Sequence, residues 1–161
     1  MKEEGVVDMP MRLMIIAAIL VITVPIVLGI VHYYAAVSSE DQLINGVNYL
    51  KKQIQLVFSQ GANASMVVRV SFPFGTEFVK IGGPLDQDSS HLIRYKMRNG
   101  VERYTVVNYG NIGIRMSHGG KTLTVVGGTY DFILTKTKAP IDLDGDGIAN
   151  DYYIEISLRE V

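Results

Sequence analysis

The chain has 161 residues, with 15 Lys and Arg against 16 Asp and Glu, 3 His and no Cys. A net charge of −1 gives no basic excess to favour nucleic acid, and the lack of Cys excludes disulfides, zinc–thiolate sites and thiol nucleophiles. Hydrophobic residues make up 48% of the chain and charged residues only 19%, which excludes disorder as the main state.

The apolar excess is concentrated near the start. Residues 13–39 contain no Asp, Glu, Lys or Arg, and residues 13–31 are almost purely aliphatic. About 20 such residues cross the ~30 Å hydrocarbon core of a bilayer, so this run predicts a membrane-spanning helix. Tyr33 and Tyr34 follow it, where an interfacial aromatic belt lies. Ala35, Ala36 and Ser38 make a poor cleavage site for a secretory signal, so the anchor is read as retained. Lys2 and Arg12 precede the run, and the next basic residues are Lys51 and Lys52. That asymmetry predicts a cytoplasmic N-terminus and an extracytoplasmic remainder.

Beyond Ser39 the pattern becomes heptad-like. Leu43, Val47, Leu50, Ile54 and Val57 recur at spacings of 4, 3, 4 and 3, while Glu40, Asn48, Lys51, Lys52 and Gln55 lie off that stripe. An amphipathic helix is predicted, continuous with the span over residues 10–59 and ~75 Å long at 1.5 Å per residue. Pro10 suits its first turn, Pro25 is a candidate kink, and Ser38 or Ser39 is a candidate cap for a second helix. Gly61 is expected in the left-handed conformation just past the C-terminus. The lower half of the stripe is expected to pack on the following domain, the upper half to have less protein over it.

The remainder reads as strands. Met66, Val68, Val70 and Phe72 alternate with Val67, Arg69 and Ser71, and residues 77–81 form a second strand ended by Gly82, Gly83 and Pro84. Asn99 and Gly100 are the preferred pair for a two-residue type I′ hairpin. In that register Arg98 faces Val101, Tyr95 faces Tyr104 and Ile93 faces Val106, so two apolar faces meet. Ile112, Ile114 and Met116 alternate next. Then come residues 123–125, a strand with Tyr130, Phe132 and Leu134, and a last strand with Ile154, Ile156 and Leu158. The expected fold class is α+β: an N-terminal transmembrane and amphipathic helix over residues 1–61, then an all-β antiparallel sandwich of about eight strands over residues 62–161.

Between the last two strands, Asp142, Asp144 and Asp146 precede Gly147, the D-x-D-x-D-G spacing of calcium loops. Alternate carboxylates wrap a hard cation and Gly permits the sharp turn. Ile148 offers a backbone carbonyl, Asn150 stands where a bridging water is common, and Asp151 partly replaces the missing bidentate Glu, since Tyr153 occupies its place. The loop resembles the single calcium loops of dockerin and thrombospondin type 3 repeats. The expected cofactor is one structural Ca²⁺, bound with weak, extracellular-type affinity.

Other chemistry is sparse. His32, His91 and His118 are scattered, no Ser sits in a nucleophile elbow, and Gly82–Gly83 and Gly127–Gly128 punctuate strands rather than cradle phosphate. An enzyme is not expected. Asn63, Ala64 and Ser65 form a glycosylation sequon.

A short charged N-terminus, an apolar helix running into an amphipathic one, and an all-β head together resemble type IV pilin-like proteins, the archaeal branch above all. Lys2, Glu3, Glu4 and Gly5 before Val6 resemble a class III signal, and residues 67–83 resemble archaeal pilin-like anchored proteins. Asp8, Pro10 and Arg12 depart from the uninterrupted apolar start of that family, and Pro10 stands where bacterial pilins carry Glu. The resemblance implies cleavage between Gly5 and Val6 by a prepilin peptidase and assembly with other copies or pilin-like subunits through the N-terminal helix. The expected surroundings are a membrane and surface-layer components. Archaellum stator-type proteins share the plan as membrane-anchored modules that bind a surface partner without forming filaments.

Overall fold

The structure, a computed structural model, describes residues 4–137, 142 and 151–159. By contacts the chain divides into two units, Met1–Ser39 and Glu40–Val161.

Helix α1 spans Glu4–Ser59. It begins before Pro10 and runs through Pro25 without a break. Ser39 does not cap a second helix: its hydroxyl donates to the Ala35 carbonyl at 2.9 Å, back onto the preceding turn. In the Met1–Ser39 unit every described large apolar side chain from Met11 to Val37 is exposed, by 40% or more.

The Glu40–Val161 unit holds the rest of α1 and, among the described residues, ten short strands. β1 (Ser65–Phe72), β2 (Thr76–Ile81), β3 (Leu92–Met97), β4 (Arg103–Val106) and β5 (Asn108–Tyr109) come first. β6 (Ile112–Gly113), β7 (Arg115–Ser117), β8 (Leu123–Val125), β9 (Gly128–Lys136) and β10 (Tyr153–Leu158) follow. One four-stranded sheet has the order β1-β9-β10-β7, a second β4-β3-β2-β8, and β5-β6 is a separate ribbon. The α+β class is thus observed, but the strands are split among three sheets and β10 pairs with β7 in parallel, so the expected all-antiparallel arrangement is corrected. The expected strand through Ile112, Ile114 and Met116 is also divided, between β6 and β7, around a fully buried Ile114.

The heptad stripe is the centre of this unit. Leu43, Val47, Leu50, Ile54 and Val57 are each at most 1% exposed and share one core with Val70 and Phe132 of the first sheet and Val79 and Ile93 of the second. The upper half of the stripe, at Leu43 and Val47, is as buried as the lower half. The cause is local. Residues 40–59 contact both β1 and β4, the edge strands of the two sheets. On one side Gly46 lets Phe72 approach, since a Cβ there would sit 3.3 Å from its ring. On the other, Lys51 reaches the Thr105 hydroxyl at 3.4 Å and Glu40 pairs with Arg103 at 2.6 Å.

The β3–β4 register differs from expectation by one residue. Tyr95 pairs with Arg103 and Arg94 with Tyr104, which puts the two tyrosines on opposite faces. Tyr95 packs on the core, whereas Tyr104 is 68% exposed. Type I′ geometry needs positive φ at both central residues, and neither Asn99 nor Gly100 has it. Instead Gly100 N–H donates to the Met97 carbonyl, so Gly100 takes the last position of a turn centred on Arg98 and Asn99. The Arg98 N–H is held by the Gly75 carbonyl at 2.9 Å, just before β2, so the β2–β3 pairing extends to Arg98 and competes with the local turn preference of Asn99 and Gly100. A two-residue hairpin does form nearby, at Gly110 and Asn111 between β5 and β6, with Gly110 at φ 61°.

The helix end also differs from the expected glycine cap. Positive φ falls at Asn63 (65°), not at Gly61, in a turn closed by Ala64 N–H to the Gly61 carbonyl. The helix C-terminus is capped from β9: the Lys136 ammonium donates to the carbonyls of Phe58 at 2.7 Å and Gln60 at 2.9 Å. A cation there meets the negative end of the helix dipole.

Candidate functional site

The largest chemical anomaly is the apolar half of α1. The helix is long and apolar enough to cross a membrane, with a best-window mean hydropathy of 3.0 and none of that window buried. Backbone polar groups are satisfied within the helix, so such a segment is compatible with hydrocarbon. Thr23 turns its hydroxyl onto the Ile19 carbonyl at 2.8 Å and so hides its one polar group. The two tyrosines at the end of the run pack edge to face, 6.0 Å apart.

Most of the carboxylate loop lies outside the described residues: Asp144, Asp146, Ile148 and Asn150 belong there. Asp142 is exposed and Asp151 half-buried. Asp151 lines a polar cavity of about 490 Å³ with Asp86, Asp88, His91 and Arg115. Arg115 also donates to the Leu85 carbonyl, tying β7 to the loop after β2. Among the described residues no three or more acidic, His or Cys side chains are placed to hold a metal. Sequence reading missed the approach of Asp151 to the Asp86–Asp88 loop, because nothing local in either segment signals the other.

The other sequence-marked residues stay apart. Asn63 is exposed in the turn after α1. Gly5 and Val6 lie in the first turns of α1. His32 is exposed, His91 lines the polar cavity, and His118 places Nδ1 at 2.7 Å from the Ile156 carbonyl. The histidines therefore build no shared centre.

Electrostatically the best-defined group is a cross-strand pair on the first sheet. Arg69 on β1 faces Asp131 on β9. The guanidinium donates twice, Nε to Oδ1 at 2.6 Å and Nη2 to Oδ2 at 2.7 Å. The hydrogen bond with Arg69 holds the Asp131 carboxyl below its usual range against partial desolvation, and the charges of Arg69 and Arg159 add to it. The same bond raises Arg69. Beside this pair, Arg69, Tyr49 and Gln42 line an open groove of about 450 Å³ between the helix and β1, with no nucleophile–base pair in it.

No protein-family model, curated protein or solved structure matches the chain.

Proposed function

We propose that this chain is a structural subunit of an archaeal type IV pilus-like surface filament, anchored and assembled through its N-terminal helix. One observation carries the reading: an entire helical segment of aliphatic side chains has no cover among the described residues. Lipid supplies that cover in a membrane, and packed copies of the same helix supply it in a filament core. A pilin-like subunit needs both environments in turn. The two four-stranded sheets and residues 40–59 share one core, and we read them as a sandwich-type extracytoplasmic head.

In this reading Gly5 and Val6 flank the peptidase cut, and Asn63 carries a glycan on the head. One Ca²⁺ is held by Asp142, Asp144, Asp146, the Ile148 carbonyl, Asn150 and Asp151. Three carboxylates within five positions repel one another unless a cation is bound, which favours the metal.

The test is intact-mass and N-terminal analysis of the native protein, with shearing of the cell surface. The expected result is a chain starting at Val6, recovered in sheared filaments. A chain retaining Gly5 and staying in the membrane fraction overturns the filament and supports a second reading. That reading is an anchored accessory or adhesion module of the archaellum-stator kind, binding a surface partner through its head. It is favoured by the charged and proline positions Asp8, Pro10 and Arg12, which interrupt the segment that pilins keep apolar.

A further inference from the structure

The Glu40–Val161 unit carries bare apolar side chains on three turns at one end. Phe74, between β1 and β2, is 93% exposed; Val101, between β3 and β4, is 80%; Val126, between β8 and β9, is 53%. The turns adjoin. A Cβ on Gly127 would stand 2.5 Å from the Pro73 carbonyl oxygen, so the β8–β9 turn lies on the β1–β2 turn. The Arg98 N–H bond to the Gly75 carbonyl joins the third. Their end is the one where the chain enters the unit, since Arg103, two residues past Val101, is the partner of Glu40. The opposite end carries the β5–β6 ribbon, where Tyr109 stacks 6.2 Å from Phe58 near the end of α1.

Apolar side chains in water are common singly, but three on adjoining turns form a patch that calls for a partner. The chain itself indicates which partner. Only residues 32–39 separate Glu40 from the aliphatic run, so chain connectivity alone keeps the entry end within roughly 30 Å of that run. Arg98, exposed on the same end, presents a guanidinium suited to a lipid phosphate. The acidic side chains there include Asp41 and Glu102, which are exposed, Glu40, which is paired with Arg103 at 2.6 Å, and Glu77, which is paired with Lys96 at 2.9 Å.

We propose that Phe74, Val101 and Val126 form a lipid-contacting rim that rests in the headgroup boundary of the bilayer holding residues 13–31. This rests on the membrane-anchor reading above and goes beyond it by assigning a second membrane contact to the head. Tips of this kind bury their apolar bodies at the acyl boundary while neighbouring polar groups stay wet.

The chain contains no Trp, so a single substitution gives one unambiguous fluorophore. The full-length protein is reconstituted at high lipid excess into phosphatidylcholine vesicles containing lipids brominated near the top of the acyl chains. Leu28→Trp reports the span, Phe74→Trp and Val126→Trp the rim, and Ile112→Trp, on the exposed β5–β6 ribbon, the opposite end. The expected result is emission from both rim variants that is blue-shifted and quenched several-fold more than that of Ile112→Trp. Quenching of Leu28→Trp with rim variants that behave like Ile112→Trp overturns the rim and leaves the anchor standing. An unquenched Leu28→Trp overturns both. A blue shift at the rim that ignores the brominated lipid and reverts on further dilution with vesicles means that a second copy covers it, and also overturns the proposal.

Discussion

The two halves of α1 follow the same backbone rules and differ in what covers them. Residues 40–59 place one apolar residue at each heptad position, and each is buried at 1% exposure or less. Residues 13–31 are apolar on all sides, and their large apolar side chains are all exposed. An amphipathic stripe states how much cover it needs, and the sheets supply it from the same chain. A helix apolar all round has no polar side to give to water, so its partner is a solvent or another molecule. Exposure therefore means different things along one helix.

That contrast breaks most readily at its most buried point. Leu50→Ala empties a fully covered position and is expected to cost the head about 2–5 kcal/mol, whereas Ile22→Ala costs about 0.5 kcal/mol or less. Denaturant unfolding of the full chain in detergent, followed by far-UV circular dichroism of the sheets, measures both. Equal losses would erase the distinction between the halves. The complementary change is Ile22→Lys, which adds a charge at about 3 kcal/mol near the centre of the span. Carbonate extraction of cell membranes should release that variant while the head melts as in the wild type.

The proposed calcium loop sharpens the comparison, because a cation bound there would act on only one side of it. Ca²⁺ at a hundredfold excess over Kd should stabilise the head by about 2.7 kcal/mol. Asp144→Ala should abolish the shift in thermal melting between Ca²⁺ and chelator, with extraction from the membrane unchanged. Mg²⁺ should substitute poorly, since it keeps its waters and demands smaller octahedral geometry. A wild-type melting temperature indifferent to Ca²⁺ removes the metal from the head.

Within the head, Tyr95→Ala is expected to cost about 1–3 kcal/mol and Tyr104→Ala about 0.5 kcal/mol or less, because the observed register leaves the first packed against the core and the second exposed. The smallest effect belongs to the Arg69–Asp131 pair. The Asp131 pKa is lowered on folding, so its contribution is fully present above the unfolded carboxyl pKa of ~3.9 and is lost as pH falls through the folded value. Melting temperatures of wild type and Asp131→Asn should differ slightly at neutral pH and converge in acid. A gap that widens on acidification contradicts the assigned direction.

Of the candidate functional features, the apolar span was legible because hydropathy needs no tertiary information. The carboxylate spacing was legible for the same reason. The rim at Phe74, Val101 and Val126 was not, since each residue is an isolated apolar position in its own turn and only the fold gathers them. The cap from Lys136 onto the Phe58 and Gln60 carbonyls was equally silent, because donor and acceptors are distant in sequence.

By itself the sequence determined that this chain has an apolar helix, a heptad stripe continuing it, and alternating strands beyond. Periodicity records only which side of a segment avoids water, and that side is a property of the segment. The tertiary structure decided which strands pair, in which direction and in which register. Asn99 and Gly100 favour one hairpin locally, but the bond from Arg98 to Gly75 and the pairing of β3 with β2 hold the strand end in a different register. It likewise decided that the whole stripe from Leu43 to Val57 is covered, because residues 40–59 pack along both β1 and β4 and share one core with the two sheets. A segment's sequence specifies its own face, and the competing edges of other segments specify its neighbour.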